Sequence, residues 1–410
     1  MLAPSESYVK SGPSFAEFIA MIAALMAVGA LGIDTMLPAL PTIGVDLHVR
    51  VTNHLQWIIS AYFLGMGAGQ LIVGTLSDWL GRKRVLLCGV ALYLVFSLIA
   101  AATPSFALLL LVRVFQGGAA ATSNVITRSI VRDRYAGPRM AKVISISYVI
   151  FLIAPIVAPS IGQLILIALP WPAIFLCLAA YAAVVGTWVA LRLPETHPEA
   201  LRFKPDLGHL RRVAFFVITE PSSLFYTIAM GLLFGSLMTY VSLMPQIFQD
   251  VFHKPTLMAP IFAACAATMG LGSMLNASLV ERLGLKRISH TALCSFIAIS
   301  GLHLLWALII HESVISFMIL QALTMGCMSL TSSNFSAIAM EKVGHVAGTA
   351  ASIQAVGSTL IGTVVASIMG QFWTGHVGLL PVTAGVCGLL SLGFVAFGEK
   401  GRLFVNSPAD

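Results

Sequence analysis

Long segments without a charged side chain dominate this sequence. Stretches free of Asp, Glu, Lys and Arg cover 51–77, 85–112, 143–191, 221–249, 255–280, 288–311, 313–340 and 343–398. The chain is 58% apolar and 10% charged, with a mean hydropathy of +0.94, which is more apolar surface than a soluble core needs. A membrane-spanning helix takes about 20 residues, so 143–191 and 343–398 can each hold two. With further spans around 16–40 and 105–128, the sequence predicts twelve.

A loop motif occurs twice, half a chain length apart. Residues 74–84 read GTLSDWLGRKR and residues 277–287 read ASLVERLGLKR, with two leucines, an acid, a glycine and two basic residues at matching positions. Such an offset predicts two similar halves in tandem. The predicted fold is an all-α membrane protein of twelve transmembrane helices in two pseudo-symmetric six-helix bundles. These bundles would be 1–191 and 221–410, joined by a polar cytoplasmic linker at 192–220.

The basic residues give an orientation. If the N-terminus is cytoplasmic, Arg50 and Lys254 fall in outer loops, Arg113 falls inside a span, and every other Lys and Arg falls in an inner segment. That asymmetry is the positive-inside pattern, which predicts that both termini are cytoplasmic. The net charge of +7 is therefore a topology signal, and nucleic acid is not an expected partner.

Signatures of other protein classes do not occur. The six cysteines are scattered through predicted spans without a CxxC pair, so neither a disulfide nor a metal site is predicted. The sequence has no HExxH, GxSxG or P-loop motif, so an enzyme, a cofactor and ATP as the driving force are not expected. A channel is disfavoured, because a two-fold repeat with one off-axis charge lacks a ring of ligands.

Two ionisable residues, Asp34 and Arg113, each stand alone inside a predicted span. A charge within the membrane is costly and marks a functional candidate. Their estimated depths agree, so we expect them to meet in a central cavity, with a purely structural ion pair as the alternative. In the functional interpretation, Arg113 holds Asp34 ionised in one state, and desolvation protonates it in the other. Rocking of the two halves would alternate these environments.

Several motifs resemble one group of transporters. Residues 34–41 (DTMLPALP), 111–117 (LVRVFQG), 128–133 (RSIVRD) and 345–350 (HVAGTA) are similar in order and spacing to motifs of the Bcr/CflA drug:proton antiporters, in the major facilitator superfamily. The loop at 74–84 resembles the loop between the second and third spans of that superfamily. The resemblance covers nearly the whole chain and implies a multi-pass protein of the bacterial inner membrane.

The resemblance also implies roles for individual residues. Asp34 and Arg113 would participate in proton coupling. Asp78 would lie against the start of the eleventh span, and Arg82 would pair with Asp133 at the inner end of the fourth. The implied conformational latch comprises Gly74, Asp78, Gly81, Arg82, Arg84 and Asp133. The alternative is that this basic loop only fixes topology.

The fifth and seventh spans, among others, carry further candidates. Pro155, Pro159 and Gly162 fall where these exporters carry their antiporter motif, and we expect gating geometry there, with kinks at the prolines. Candidate substrate contacts are Met26, Asn124, Phe234, Met238, Asn334 and Gln354. His303 is expected to be a hydrogen-bonded packing residue. Some relatives have a second acid where this chain has Met26, so one cavity acid predicts one proton per compound.

The predicted function is proton-coupled export (antiport) of small, fairly apolar compounds by alternating access, with multidrug or antibiotic efflux as the main expectation. The alternative is proton-coupled transport of an endogenous metabolite. The partners expected are a drug-like compound, protons and the lipid bilayer, and a monomer suffices for this fold.

Overall fold

The structure, a computed structural model, describes residues 12–135, 137–202, 207–310 and 312–405. Every regular element within these ranges is helical. The predicted all-α membrane fold is therefore confirmed. Both chain ends (1–11 and 406–410), which were predicted to be cytoplasmic, and residues 203–206 of the predicted linker lie outside the described residues.

Two sets of helices follow one another along the chain. The first set is α1 (Phe15–Asp34), α2 (Leu40–Asp46), α3 (Trp57–Leu80), α4 (Arg82–Ala101), α5 (Phe106–Arg134), α6 (Gly137–Ala168) and α7 (Pro172–Arg192). The second set is α8 (Leu207–Thr219), α9 (Pro221–Gln246), α10 (Met258–Leu283), α11 (Leu285–Ile309), α12 (Val314–Met340), α13 (Ala347–Gln371) and α14 (Leu379–Gly398).

Most of these helices are long and apolar enough to cross a membrane. Among the described residues, eleven segments meet that requirement, and α6 adds the apolar stretch Ile153–Ala168. Large apolar side chains also lie on the outside of the protein; Ile167 is 80% exposed and Leu191 is 77% exposed. Exposure of so many apolar side chains to water is unfavourable, whereas their contact with lipid is favourable. The protein is a multi-pass membrane protein.

The chain divides into two compact units. Unit 1 contains the described residues of Met1–His48 and Ala61–Asp206, and unit 2 contains those of Val49–Ser60 and Leu207–Asp410. Unit 1 continues past the predicted boundary at 191 and includes the described residues before α8. Two further segments lie in unit 2, outside the predicted bundle 221–410. Helix α8 belongs to unit 2, and so does the short segment that leads into α3.

Side-chain contacts account for both differences. Val213 and Val217 of α8 are buried against Val343 and Ala350, so this helix has an apolar face within unit 2. In the segment before α3, Gln56 Nε2 donates to Oε1 of Gln246 at 2.8 Å, a long-range hydrogen bond that sequence patterns do not reveal.

The repeated loop motif has the same backbone geometry in both units. Gly81 alone separates α3 from α4, and Gly284 alone separates α10 from α11. Both glycines have a positive φ, 101° and 77°, which side chains other than glycine rarely adopt. In each motif the helix stops and the next begins after one residue, so the sequence repeat is also a structural repeat.

The repeated lysines also have equivalent positions. Lys83 Nζ donates to the carbonyl of Ala190 at 2.8 Å, near the end of α7. Lys286 Nζ bonds to Glu399 Oε2 at 2.7 Å, just beyond the end of α14. Each lysine therefore fastens the last long helix of its unit to the repeated loop.

Replacing Gly81 with alanine should destabilise unit 1. The backbone there suits glycine almost exclusively, and a Cβ would lie 2.6 Å from Glu195 Oε2. We expect a loss of about 1–3 kcal/mol, measured by thermal unfolding in detergent. Gly301→Ala is the matched control, because a Cβ at this position in α11 meets nothing within 4 Å. Equal stability of the two variants would contradict the strained-turn interpretation.

Candidate functional site

Asp34 is the last residue of α1. Pro38 lacks the N–H that would bond to the Asp34 carbonyl in a longer helix, and the chain turns instead through a short 3-10 segment, Leu37–Ala39. The Asp34 side chain is buried, with 7% of the residue exposed. Among the described residues, no hydrogen bond or ion pair reaches its carboxyl group. A buried carboxyl group in this setting favours its neutral, protonated form.

Arg113 lies in α5 and is completely buried. Its Nη1 donates to Oε1 of Gln116 at 2.7 Å, and Gln116 Nε2 donates to Ser97 Oγ at 2.7 Å. The guanidinium also lies over the ring of Tyr62, 4.2 Å from its centroid, and 6.0 Å from that of Phe175. An aromatic face and an amide oxygen stabilise this buried positive charge in place of water.

Asp34 and Arg113 form no ion pair among the described contacts, and their expected meeting in a central cavity stays a prediction. The sequence-based span, 16–40, placed Asp34 within a helix, whereas α1 ends at Asp34. The guanidinium meanwhile has its partners on α3, α5 and α7. The structure thus has a neutralisable acid and a stabilised cation that are not joined.

Two tyrosines line α1 just before its end. Tyr62 Oη donates to the carbonyl of Gly29 at 3.3 Å, and Tyr93 Oη donates to that of Val28 at 3.4 Å. Both hydroxyls approach Gly32, where a Cβ would lie 2.5 Å from Tyr93 Oη and 2.8 Å from Tyr62 Oη. The ring of Tyr62 also contacts the guanidinium, so this residue links α1 to the buried cation.

Sequence reasoning did not identify this supporting network. One signal was present: Gln116 lies in the motif at 111–117, three residues from Arg113, and this spacing places both on one helix face. Tyr62, Tyr93 and Ser97 carry no motif. An aromatic or hydroxyl residue inside an apolar span is the one available signal, and many such residues are ordinary packing.

A second polar cluster surrounds Arg82 at the start of α4. Arg82 is 4% exposed and pairs with Asp78 one turn earlier. Its Nε bonds to Asp133 Oδ2 at 3.1 Å, and its Nη1 donates to Ser77 Oγ at 2.6 Å. The pairing of Arg82 with Asp133 that the resemblance implied is therefore present within unit 1.

The other loop residues have simpler surroundings. Gly74 supplies the carbonyl that accepts from Ser77 Oγ at 2.8 Å. Arg84 is exposed and forms no ion pair in the part of the chain that the structure describes. Gly81 provides the turn described above.

Glu195, which follows α7, caps the start of α4. Its Oε1 accepts from the N–H of Arg82 at 2.9 Å and its Oε2 from the N–H of Lys83 at 3.2 Å. The neighbouring Thr196 Oγ1 donates to Asp133 Oδ2 at 3.3 Å. Because the N-cap, Gly81, has no side chain, a carboxylate from a distant segment satisfies these amides. Sequence analysis missed this residue, since its contacts are more than a hundred residues away.

Comparison with known proteins agrees with this architecture. The family model of the Major Facilitator Superfamily matches residues 20–367. The chain belongs to the major facilitator superfamily. The protein is accordingly a transporter with small-molecule substrates, embedded in the membrane.

Individual members of the superfamily match most of the chain. The uncharacterized MFS-type transporter YdgK of Bacillus subtilis (strain 168) is 30% identical over 357 residues, 85% of this chain and 87% of that protein. The bicyclomycin resistance protein homolog of Haemophilus influenzae is 26% identical over 376 residues, 92% of this chain and 94% of that protein. Among solved structures, the D-xylose-proton symporter matches with a TM-score of 0.76 and 12% identity over 93% of this chain and 97% of that chain, a likeness of fold.

In this transporter, α6 runs unbroken through Pro155 and Pro159 from Gly137 to Ala168. A Cβ at Gly162 would clash with the carbonyl oxygen of Thr35, the residue after Asp34. Glycine therefore allows α6 to touch the backbone at the end of α1. Gating by this helix remains a prediction.

The candidate substrate contacts have varied surroundings in the transporter. Met26 and Met238 are buried, Asn124 lies beside Gly29, and Phe234 packs against Gly362. Two polar candidates have partners within unit 2. Asn334 Nδ2 donates to Asn276 Oδ1 at 2.7 Å, and Gln354 Nε2 donates to Ser223 Oγ at 2.8 Å. These amide contacts favour a packing role for Asn334 and Gln354.

Replacing Arg82 with glutamine should destabilise the transporter. The change leaves Asp78 and Asp133 without their shared cation, and we expect a loss of about 2–3 kcal/mol because both acids retain some exposure. Unfolding in detergent measures it. Arg84→Gln, an exposed change two residues away, should stay within about 0.5 kcal/mol of wild type. Similar losses for both variants would argue against a buried charge cluster.

Proposed function

We propose that this transporter exports small, fairly apolar compounds, antibiotics among them, in exchange for protons. The observation that carries the proposal is the buried carboxyl group of Asp34, which has no counterion among the described residues. A membrane protein retains such a group at a cost in stability, and a proton is the simplest ligand that removes its charge. Asp34 therefore acts as the proton carrier.

The proton carrier needs two environments. In the buried environment Asp34 is neutral, and Arg113 is stabilised by Gln116 and by the face of Tyr62. When the site opens and becomes hydrated, Asp34 releases its proton and its carboxylate becomes available to pair with the Arg113 guanidinium. Arg113 thus favours the discharged state, while burial favours the loaded state. Asp34 contributes one proton in each cycle.

The loop cluster provides the proposed conformational latch. Arg82 holds Asp78 and Asp133 together at one end of unit 1, and Gly81 sets the turn that brings them there. Helix α6 serves as the gating helix, because Gly162 brings it against the backbone next to the proton carrier. A change at Asp34 can therefore reach α6 through direct contact.

The choice of drug-like substrates rests on the relatives and on the apolar candidates. The similar protein of Haemophilus influenzae is named a bicyclomycin resistance protein homolog. Met26, Met238 and Phe234 offer adaptable apolar surface, which suits compounds of varied shape. The proposal places the transporter in a bacterial inner membrane as a monomer, with both termini in the cytoplasm.

Asp34→Asn should abolish proton-driven export. Cells that express the wild type should gain resistance to some antibiotics across a panel, and the variant should return to the level of cells without the transporter. An uncoupler should have the same effect on the wild type. Asp250→Asn is the matched control, because Asp250 is exposed. Resistance that survives in Asp34→Asn would remove this residue from the mechanism, and an unchanged panel for wild type would favour a metabolite as substrate.

Membrane voltage should drive export of neutral compounds. Each proton that enters without a compensating charge gains about 2.3 kcal/mol per 100 mV, negative inside. Proteoliposomes with a potassium-diffusion potential and no pH gradient should therefore move a neutral compound against its gradient. Transport of a neutral compound that is insensitive to voltage would contradict proton exchange.

A further inference from the structure

Unit 2 contains a buried pair of titratable groups that the proposed mechanism does not use. His303 lies in α11, and Glu312 lies just before α12. Their side chains are 1% and 4% exposed, and His303 Nε2 is 2.6 Å from Glu312 Oε1. The expectation that His303 is a hydrogen-bonded residue is met, but its partner is an acid.

The contact itself requires a proton. A ring nitrogen and a carboxylate oxygen at 2.6 Å repel each other unless one of them carries a hydrogen. A neutral imidazole with its hydrogen on Nε2 can donate that hydrogen to a carboxylate, and the pair then has one net negative charge. One further proton gives imidazole with carboxylic acid or imidazolium with carboxylate. Both forms have a net charge of zero.

The surroundings oppose any other charge state. The ring of Phe317 faces His303 with centroids 6.1 Å apart, and Phe317 also packs against Phe248 and Phe252. Glu312 Oε2 is buried and has no hydrogen-bond partner in the described ranges. Loss of the proton would leave a net negative charge in these apolar surroundings, and gain of a second would leave a positive one.

No other ionisable group stabilises the pair within the described residues. The titratable and charged side chains of the neighbouring segments, Asp250, His253, Lys254 and His376, are exposed and form no ion pair with it. His311 lies outside the described residues.

Another acid of unit 2, Glu399, differs in this respect. Glu399 bonds to Lys286 Nζ at 2.7 Å and accepts from Tyr226 Oη at 2.9 Å. Lysine carries its positive charge over a wide pH range, so Lys286 provides Glu399 with a lasting counterion. His303 supplies such a charge only when it is itself protonated. This difference separates a structural ion pair from a pair that can exchange a proton.

We propose that His303 and Glu312 form a second proton-binding site, located in unit 2. The buried pair is loaded with one proton. When water reaches Glu312 Oε2, the carboxylate is hydrated and the added proton leaves to water, which leaves a neutral His303 beside an ionised Glu312. Reburial requires that a proton return to the pair.

The position of the pair suits proton uptake from outside. His303 is six residues from the end of α11, or about 9 Å along the helix. In the proposed orientation this end faces the exterior. If the transporter exchanges protons as proposed, the second site raises the count to two protons per compound. That count rests on the proposed function, whereas proton binding by the pair does not.

Infrared spectroscopy tests the site without transport. Full-length protein in lipid nanodiscs, without substrate, should give a pH-dependent Glu312 band in difference spectra that is lost in Glu312→Gln. The band is a carboxylic-acid C=O stretch if the proton lies on Glu312, or a shifted carboxylate stretch if it lies on His303. The band should persist in Asp34→Asn, which removes only the Asp34 contribution, and in the exposed control Glu281→Gln. Identical spectra for wild type and Glu312→Gln would overturn the proposal.

A second variant protects the test against misfolding. If Glu312→Gln unfolds, Glu312→Asp retains a carboxyl group with altered hydrogen-bond geometry. Its band should then shift in frequency, and a band unchanged from wild type would also overturn the proposal.

Reversal potentials in proteoliposomes test the count. Wild type and Glu281→Gln should exchange two protons per compound and Glu312→Gln one. A ratio that is the same in folded Glu312→Gln and wild type would exclude the pair from exchange. If wild type exchanges no protons at all, the proposed function fails, and the infrared result still decides whether the pair binds a proton.

Discussion

A positive charge that cannot leave the interior organises the first half of this transporter. The Arg113 guanidinium is buried away from water and instead contacts the amide oxygen of Gln116 and the ring of Tyr62. The hydroxyl of Ser97 in turn accepts a hydrogen bond from the Gln116 amide. These three side chains come from α3, α4 and α5, so the buried guanidinium also fixes how the three helices pack. The acid at the end of α1 stands apart from this arrangement. Because Asp34 forms no ion pair with Arg113, its carboxyl group can bind and release a proton, which a tight ion pair would oppose.

The sequence predicted the architecture because membrane insertion imposes strong patterns. Uncharged segments mark helices, basic residues mark one side of the bilayer, and the repeated loop marks two halves. The pairing of Arg82 with Asp133 was implied by the family resemblance, which related two short motifs 51 residues apart in the chain.

Other features depend on where helices end and on contacts far apart in the chain. The pairing of Asp34 with Arg113 was predicted from a span that continued to residue 40, but Pro38 ends the helix earlier. Glu195 and Tyr62 have partners that no pattern near them specifies. The sequence predicted His303 to be a packing residue. Its acidic partner, Glu312, lies nine residues later and beyond the end of the helix, where the chain folds back onto His303.

The turns at Gly81 and Gly284 have a mechanical consequence. A connection of one residue contains only two soft dihedral angles, so it has almost no slack. Any tilt of α3 must carry the beginning of α4 with it, and the same holds for α10 and α11. Each of these two helix pairs therefore moves as a unit with a nearly fixed angle between its helices. The chain has this rigid connection in both units, although the charged residues around the two glycines differ.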